Sequence, residues 1–216
     1  MSVKSWSLTT ASRVSSYMEI TTPTGTQLAA LEAIIDSVTE FVENYIGRRL
    51  KKTTYTQEMY DTEEAETLNL KHFPIVSGTT VLLERRSSGL NEDDWQTVDS
   101  EYYHIDYNAG MLIGAGGIVF FPTRNGYRVT YTAGYDFDNT DTFLSDTEAG
   151  DIELVAWMLV SAIWDKKKGG GDVESERIGD YSVTYSKFVM ENANVKTILD
   201  RYAISDEIGV ITPIQV

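Results

Sequence analysis

Histidine and cysteine, the residues that most often mark a catalytic or metal site, are scarce in this sequence. His72 and His104 are the only histidines among 216 residues, and no cysteine is present. The absence of cysteine excludes disulfides, thiolate metal ligands and a cysteine nucleophile. Neither histidine has the spacing of a metal site or a catalytic triad, so we expect structural or surface roles for both. Carboxylates are too numerous to single out an acid–base pair, and the sequence predicts no catalytic residue, metal site or cofactor.

An acidic segment, Asp136-Phe-Asp138-Asn-Thr-Asp141, has the carboxylate density of a calcium loop. An EF-hand loop requires Gly at its sixth position and Glu at its twelfth. Asp141 and Thr147 occupy those positions here. A solvated acidic loop is therefore the favoured interpretation, with a weak cation site as the alternative.

Two glycine-rich segments superficially resemble nucleotide-binding loops. Gly114-Ala-Gly116-Gly117 lacks the third glycine of a dinucleotide fingerprint, because Val119 stands there. It also lacks the required strand-then-helix setting. No Gly-Lys-Ser/Thr follows Gly169–Gly171, so that segment is not a phosphate-binding loop.

The overall charge limits the partners. The chain carries 33 acidic and 18 basic residues, a formal net charge of −15. General nucleic-acid binders neutralise phosphates with Lys and Arg, and anionic lipid surfaces repel acidic chains. An acidic wall does suit DNA that passes without binding. The apolar run Leu154–Ile163 is shorter than the ~20 residues of a membrane span, and the sequence predicts a cytoplasmic protein without membrane contact.

Helices are predicted near the start of the chain. Leu8–Ile20 is typical of a short helix that begins at Thr9 or Thr10. Thr24 and Gln27 have capping-box spacing, and apolar residues then recur at helical intervals up to Tyr45. Gly47 predicts the end of this long helix. A basic cluster follows the helix: Arg48, Arg49, Lys51 and Lys52. Its positive charge would interact favourably with the negative end of the helix dipole or, alternatively, would contact an acidic partner.

Strands are predicted from about Thr53 to Tyr135, where Tyr, Thr and Val are frequent and turn residues recur. Leu68–Leu70 and Thr80–Arg85 are candidates. Gly114–Gly117 resembles a hairpin turn between Leu112-Ile113 and Ile118–Phe121. Tyr127, Val129 and Tyr131 alternate with polar residues, the period of a half-buried strand.

The C-terminal third predicts a helix that is apolar on all sides. Ser145 and Glu148 have capping-box spacing before a helix from about Asp146 to Lys168. Such a helix must be covered all round, partly by its own chain and partly by a neighbouring subunit. A strand at Tyr181–Ser186 and a short helix at about Ala193–Tyr202 are predicted next.

These elements predict an α+β fold, in which helices from both ends of the chain pack with a central antiparallel strand-rich region, and a C-terminal strand and short helix are added. The predicted segments are 1–23 (short helix and lead-in), 24–52 (first long helix), 53–135 (strands), 136–203 (apolar helix, glycine-rich loop, strand and short helix of the same domain) and 204–216 (tail).

Three segments together resemble the head–tail connector (adaptor) proteins of tailed bacteriophages. They are Leu8–Met18 with the long helix ending at Arg49, Tyr127–Tyr135 leading into the apolar helix, and Ser175-Glu-Arg-Ile-Gly-Asp-Tyr-Ser-Val-Thr-Tyr185. The last is the most specific. The resemblance covers most of the chain, although Thr53–Gly126 matches only in its general strand-rich composition.

The resemblance implies a structural virion protein with no enzymatic activity. It implies a homo-oligomeric ring, usually a dodecamer, that docks on the portal protein, extends the DNA channel and recruits a head-completion (stopper) or tail protein. DNA would pass without sequence-specific binding. Assembly would take place in the host cytoplasm.

The resemblance also implies two sets of site residues. The apolar helix, Asp151–Trp164, would form core and subunit contact, through Ile152, Val155, Trp157, Leu159 and Trp164. The tail would dock on the portal, through Ile208, Val210, Ile211, Ile214 and Val216. A disordered end or a terminal strand of the chain's own sheet is the alternative for the tail.

Two other functions remain open from the sequence. One is a phage head-closure or tail-completion protein, which is also strand-rich and ring-forming. The other is an acidic hydrolase or carbohydrate-binding module that uses Trp95, Tyr102 and Tyr103, although aromatic residues there are typical of sheet packing.

Overall fold

The computed structural model describes residues 3–21, 23–63, 65–87, 94–117, 120–137, 149–168 and 178–203. The chain folds into two compact units. The helical unit comprises the described residues up to Lys51 and from Asp136 to Ala203. The β unit comprises those from Lys52 to Tyr135. The α+β class is confirmed, whereas the assignment of all segments to one domain stays a prediction.

The helical unit contains five helices among its described residues. They are α1 (Ala11–Tyr17), α2 (Gly25–Ile46), α3 (Gly150–Lys168), α4 (Ile178–Glu191) and α5 (Ala193–Tyr202).

Both of the first two helices begin where the sequence predicts, and α2 also ends at the predicted Gly47, whereas α1 ends at Tyr17, before the predicted end at Ile20. Thr10 is the N-cap of α1, and its side chain accepts a hydrogen bond from the Arg13 N–H. At the start of α2, Gln27 Oε1 accepts from the Thr24 N–H at 3.1 Å. Gly47 ends α2 in the left-handed conformation at φ 84°, which glycine adopts without a Cβ penalty.

Helix α4 corrects one prediction. The strand predicted at Tyr181–Ser186 is wrong, because these residues lie within α4. The alternation spans only six residues, whereas a helical spacing extends further along the sequence, through Ile178, Tyr181, Tyr185, Phe188 and Val189. Tyr185 and Val189, four residues apart, are each 2% exposed. The longer period therefore determines the structure.

Helix α5 is confirmed with the predicted bounds. Its N-cap Asn192 accepts a hydrogen bond from the Val195 N–H at 3.3 Å. Val195 and Leu199 then form its buried side. The predicted capping pair of α3, Ser145 and Glu148, lies outside the described residues.

The β unit contains two antiparallel sheets. Its strands are β1 (Thr53–Thr62), β2 (Thr67–Asn69), β3 (Leu82–Arg86), β4 (Trp95–Thr97), β5 (Tyr103–Asp106), β6 (Met111–Gly114) and β7 (Thr123–Ala133). One sheet has the order β1-β7-β3-β4 and the other β2-β6-β5. The predicted alternation of β7 is confirmed, because Tyr127, Val129 and Tyr131 are buried.

Both sheets contribute to one apolar core within the β unit. Its buried members are Tyr60, Leu68, Leu70, Ile75, Leu83, Tyr103, Leu112, Phe120, Tyr127, Val129, Tyr131 and Ala133.

The predicted hairpin turn at Gly114–Gly117 is wrong. The hairpin that contains Leu112 is β5–β6, and Ala115–Gly117 forms a 3₁₀ turn. The β5–β6 turn forms because Asp106 Oδ1 accepts from the N–H groups of Asn108 and Ala109, at 3.1 and 2.9 Å. An aspartate side chain that accepts hydrogen bonds from the backbone N–H groups that follow it favours a turn.

A carboxylate and two tyrosines connect β1 with β7. The Tyr60 and Tyr131 hydroxyls donate to Glu58 Oε2 at 2.5 and 2.7 Å, and the two hydroxyl oxygens lie 2.9 Å apart. Lys71 Nζ and His72 Nε2 each lie 3.6 Å from Glu58 Oε1. Burial alone would raise the pKa of Glu58, but the tyrosine hydroxyls and nearby cations outweigh it and lower that pKa below its usual 4.5.

The pKa values of the two tyrosines in this cluster shift in the opposite direction, upward. Burial, followed by the hydrogen bond to Glu58, raises the pKa of Tyr60 above its usual 10.0. Burial and the hydrogen bonds to Tyr60 and Glu58 likewise raise the pKa of Tyr131. The folded chain therefore favours ionised Glu58 and neutral tyrosines.

We predict a pH dependence of stability from this cluster. The contribution of Glu58 is present above its unfolded pKa of 4.5 and is lost as the pH falls through its lower folded pKa. The contribution of the tyrosines is lost as the pH rises above their unfolded pKa of 10.0. At pH 7 we expect Glu58→Gln to lower the free energy of unfolding by about 1–3 kcal/mol, measured by urea unfolding.

The exposed Glu66→Gln is the control for that experiment, and we expect no change from it. The difference between Glu58→Gln and the parent should shrink at pH 3. An equal difference at pH 3 and pH 7 would contradict the assignment of an ionised Glu58.

Candidate functional site

The five apolar residues predicted for a subunit contact lie inside the helical unit. Ile152, Val155, Trp157 and Leu159 are 0% exposed and Trp164 is 5% exposed in the single chain. Helices α1, α2, α4 and α5 all contact α3. The five residues therefore form the core of their own chain, and their role at a subunit contact stays a prediction.

One side of α3 is less completely covered. Leu154 and Met158 are half-buried, as are Ser161 and Ala162. These positions follow helical spacing, so they lie on one side of the helix. The apolar surface that α3 retains in the single chain is therefore at Leu154 and Met158.

A fully buried carboxylate, Glu153, joins α3 to the N-terminal segment. Its Oε1 accepts from the Thr9 hydroxyl at 3.0 Å and from Arg13 Nη1 at 2.9 Å. Trp157 Nε1 donates to Thr9 Oγ1 at 2.7 Å. Arg13 Nη1 also donates to the Phe137 carbonyl at 2.9 Å. We call Thr9, Arg13, Glu153 and Trp157 the Glu153 cluster.

The chemistry of the Glu153 cluster is structural. Glu153 is 0% exposed, so a solute has no access to its carboxylate. A buried charge is costly unless it is paired and hydrogen-bonded, and Arg13 and Thr9 supply both. The cluster connects three segments that are distant in sequence: the N-terminal residues, the residues after β7, and α3.

The residues before α1 are also bound along α2. Asp36 Oδ1 accepts from the Lys4 N–H at 3.0 Å and from the Ser7 hydroxyl at 2.6 Å. Thr39 Oγ1 accepts from the Leu8 N–H at 3.2 Å. The start of the described chain is therefore an ordered part of the helical unit.

The last turn of α5 is bound to α2 and α3. The Tyr202 hydroxyl donates to Asp151 Oδ1 at 2.8 Å, and Arg201 Nη1 donates to Asp151 Oδ2 at 3.2 Å. Arg48, which is 7% exposed, donates from Nε to the Tyr202 carbonyl at 3.4 Å. One member of the basic cluster after α2 thus contacts the C-terminal end of a different helix.

The predicted portal-docking residues lie outside the described residues, which end at Ala203. They are Ile208, Val210, Ile211, Ile214 and Val216. Helix α5, which ends at Tyr202, is the last described element before them in the sequence.

The three aromatic residues of the carbohydrate-binding alternative do not share an exposed face. Tyr103 is 6% exposed, and its hydroxyl donates to the Val81 carbonyl at 3.3 Å. The Trp95 ring lies beneath Arg86 and Arg128, whose guanidinium carbons are 5.2 and 4.5 Å from its centroid. Tyr102 is exposed. This arrangement is typical of sheet packing.

The two histidines lie apart from each other in structural and surface settings. His72 stacks on Tyr55 with ring centroids 3.8 Å apart, and His104 is exposed on β5. Within the described ranges, no group of three or more His, Asp or Glu residues is arranged to hold a metal ion. No helix in the same part of the chain is long and apolar enough to cross a membrane.

Sequence reasoning missed the residues that organise the helical unit. Arg13 and Glu153 were not singled out, Thr9 was considered only as a possible start of the first helix, and the pairing of Asp151 with Tyr202 was not predicted. One signal was available: Glu153 interrupts an otherwise apolar run from Ile152 to Val160. A carboxylate in such a run indicates a buried ion pair, although its partner, 140 residues away, cannot be identified from spacing.

A family model described as head completion protein matches residues 7–204. The match includes the Glu153 cluster and all five helices. No curated protein sequence matches the chain.

Two solved structures contain chains of similar fold. A chain from "Neck of empty GTA particle computed with C6 symmetry" is 14% identical with a TM-score of 0.54, and the alignment covers 91% of both chains. A chain from "Virion of native gene transfer agent (GTA) particle" is 12% identical with a TM-score of 0.50, covering 87% of this chain and 83% of that one.

We predict that the Glu153 cluster is required for the stability of the helical unit. Arg13→Ala leaves a buried carboxylate without its cation, which costs about 3–5 kcal/mol. Urea unfolding at pH 7 measures this loss. The control Lys187→Ala removes an exposed pair with Glu191 and should cost less than about 0.5 kcal/mol. Equal effects of the two variants would contradict a special role for the buried pair.

Proposed function

Because the chain belongs to the head completion protein family, we propose that it is a structural subunit of a ring at the joint between the head and the tail of a phage or phage-like particle. The observation that carries the proposal is the family match over residues 7–204. The resemblance of its sequence to head–tail connector proteins agrees with it.

One observation supports the ring, and a second supports a channel through which DNA passes. A protein of similar fold lies in the neck of a GTA particle computed with C6 symmetry. The net charge of −15 keeps the subunits soluble before assembly and repels the phosphate backbone of passing DNA. We propose that the ring is a dodecamer like the portal, with DNA passing through its channel without sequence-specific contacts.

The proposed partners are the portal protein on one side and a head-completion (stopper) or tail protein on the other. Tail residues 208–216 are the proposed portal-docking segment. Their apolar β-branched residues (Ile208, Val210, Ile211, Ile214 and Val216) would gain free energy when they are buried against the portal protein. The proposed location is the virion, with assembly in the host cytoplasm.

The proposed contact between neighbouring subunits involves α3. Leu154 and Met158 are its half-buried apolar residues. We propose that they meet the neighbouring copy, and that Ile152, Val155, Trp157, Leu159 and Trp164 hold α3 in position beneath that contact. All five residues of the predicted interface set thus become supporting residues, and Leu154 and Met158 are newly proposed as the contacting residues.

The proposed role, that of a head completion protein, needs no catalytic residue. A head-closure or tail-completion role is the second candidate, and the family's name, head completion protein, favours it. Capture by the portal protein favours the adaptor role, whereas capture by the tail-tube protein favours this second role. The buried position of Tyr103 argues against a carbohydrate-binding face.

We predict that truncation after Ser205 abolishes capture by the portal protein of the same virus. The truncation removes the proposed docking residues while leaving all the described residues intact. Pull-down with immobilised portal measures the loss, and mass photometry reports the state of the ring. Equal capture of the truncated and full chains would show that the tail is not the docking segment.

We predict separate effects from two neighbouring positions of α3. Trp157→Ala should lower the free energy of unfolding of the single chain by about 3–5 kcal/mol, because it creates a cavity in the core. Met158→Asp should leave the single chain folded but prevent ring formation, measured by mass photometry on the portal-bound and free protein.

The matched control is Met190→Asp, which places the same substitution at a residue of α4 that is 81% exposed. It should change neither the stability nor the ring. Rings that form normally with Met158→Asp would contradict the proposed contact on α3.

A further inference from the structure

One edge of the four-stranded sheet carries two arginines packed against a tryptophan. Strand β4 ends this sheet, which has the order β1-β7-β3-β4, and Trp95 of β4 pairs with Arg86 of β3. The guanidinium carbons of Arg86 and Arg128 lie 5.2 and 4.5 Å from the centroid of the Trp95 ring. Cation–π attraction holds a guanidinium at such a distance. We call Arg86, Trp95 and Arg128 the arginine–tryptophan site.

The two arginines of this site differ in how their charge is balanced. Arg128 donates from Nε and Nη2 to the two oxygens of Glu84, each at 2.7 Å, and this pair is largely buried. Arg86 forms no ion pair with a carboxylate among the described residues, and its Nε is buried without a hydrogen-bond partner. The Arg86 side chain is half-buried. A partly desolvated cation attracts an incoming anion more strongly than a fully hydrated one does.

A protein carboxylate is the ligand that this site favours. The planar guanidinium matches both carboxylates and phosphates. Binding to a nucleic acid requires several cations along the phosphate backbone, whereas Arg86 offers a single unbalanced charge on a chain whose net charge is −15. One carboxylate from a protein surface would balance that charge.

The opposite edge of the same sheet is acidic. Strand β1 ends the sheet on that side, and the exposed Asp61 and Glu63 lie at its C-terminal end. Asp61 Oδ1 accepts from the Asn125 N–H at 2.6 Å, which holds this carboxylate in place. Even with the exposed Arg124 of the neighbouring β7, the two carboxylates leave this end of the edge negative. The two edges of one sheet therefore carry opposite charge.

We propose that the arginine–tryptophan site of one copy binds Asp61 and Glu63 of the next copy, as a second contact between neighbouring subunits. This inference rests on the proposed ring. A ring is built from heterologous contacts, in which two different surfaces of the same chain meet. Opposite edges of one sheet are two such surfaces, and their charges are complementary. Stacking on Trp95 restricts the Arg86 side chain in advance, so less entropy is lost on binding.

The experiment measures ring assembly of the full chain by mass photometry, both free and on the portal protein. Arg86→Gln removes the charge from one side of the proposed contact. Asp61→Asn combined with Glu63→Gln removes it from the other side and keeps an acceptor for the Asn125 N–H. The matched control is Arg85→Gln, which makes the same charge change at an exposed residue on the opposite face of β3.

We expect the variants on either side of the contact to weaken assembly by at least about tenfold, as close charge pairs at interfaces do. The loss should shrink at high salt, because screening weakens the parental contact as well. Arg85→Gln should assemble like the parent. A merely structural role of Arg86 would shift the urea midpoint while leaving the assembly of the folded chain unchanged. Assembly of folded Arg86→Gln at the parental affinity would overturn the inference.

Charge exchange tests whether these two edges meet each other. Arg86→Glu alone and the pair Asp61→Lys with Glu63→Lys should each prevent assembly, because like charges then face each other. A chain that carries all three substitutions should assemble again, since the charges are complementary once more. Loss in the separate variants without recovery in the combined chain would contradict the proposed pairing.

Comparison with the parent chain and with Met158→Asp separates this inference from the function on which it rests. If the parent forms rings and Met158→Asp prevents them while Arg86→Gln does not, the ring stands and the contact between sheet edges is wrong. If the parent forms no ring, either free or on the portal, the proposed ring is wrong and the inference fails with it.

Discussion

The helical unit depends on the neutralisation of one buried charge. Glu153 lies in α3 with no exposed surface, and such a carboxylate is tolerated only with a cation and a hydrogen-bond donor in place. Arg13 and Thr9 supply these, and Arg13 also binds the Phe137 carbonyl. Correct folding of α3 therefore requires the N-terminal segment and the residues after β7 to be in position. A single side chain thus couples segments that lie before and after the β unit in the sequence.

This coupling explains how α3, a helix with almost no polar face, is covered largely by other helices of its own chain. Four helices contact α3, and only Leu154 and Met158 among its large apolar residues stay half-buried. Asp151 and Arg48 hold the last turn of α5 in the same unit.

Local patterns in the sequence predicted the elements whose signals are local. The caps of α1 and α2, the bounds of α5 and the alternation of β7 depend on neighbouring residues, and all are confirmed. The strand at Tyr181–Ser186 was wrong because a six-residue alternation is compatible with a longer helical period. The Glu153 cluster was missed because its partners are 140 residues apart in the chain. Periodicity also indicated that Trp157 is buried, but it cannot tell burial by the chain itself from burial by a second subunit.

The most direct test of the account is a cryo-EM map of the particle neck that resolves the side chains of this chain. The account predicts a ring between the portal and the next neck protein, with Glu153 buried against Arg13 in each copy and residues 208–216 lying against the portal. A ring bound only to the tail tube, or tails directed away from the portal, would contradict it.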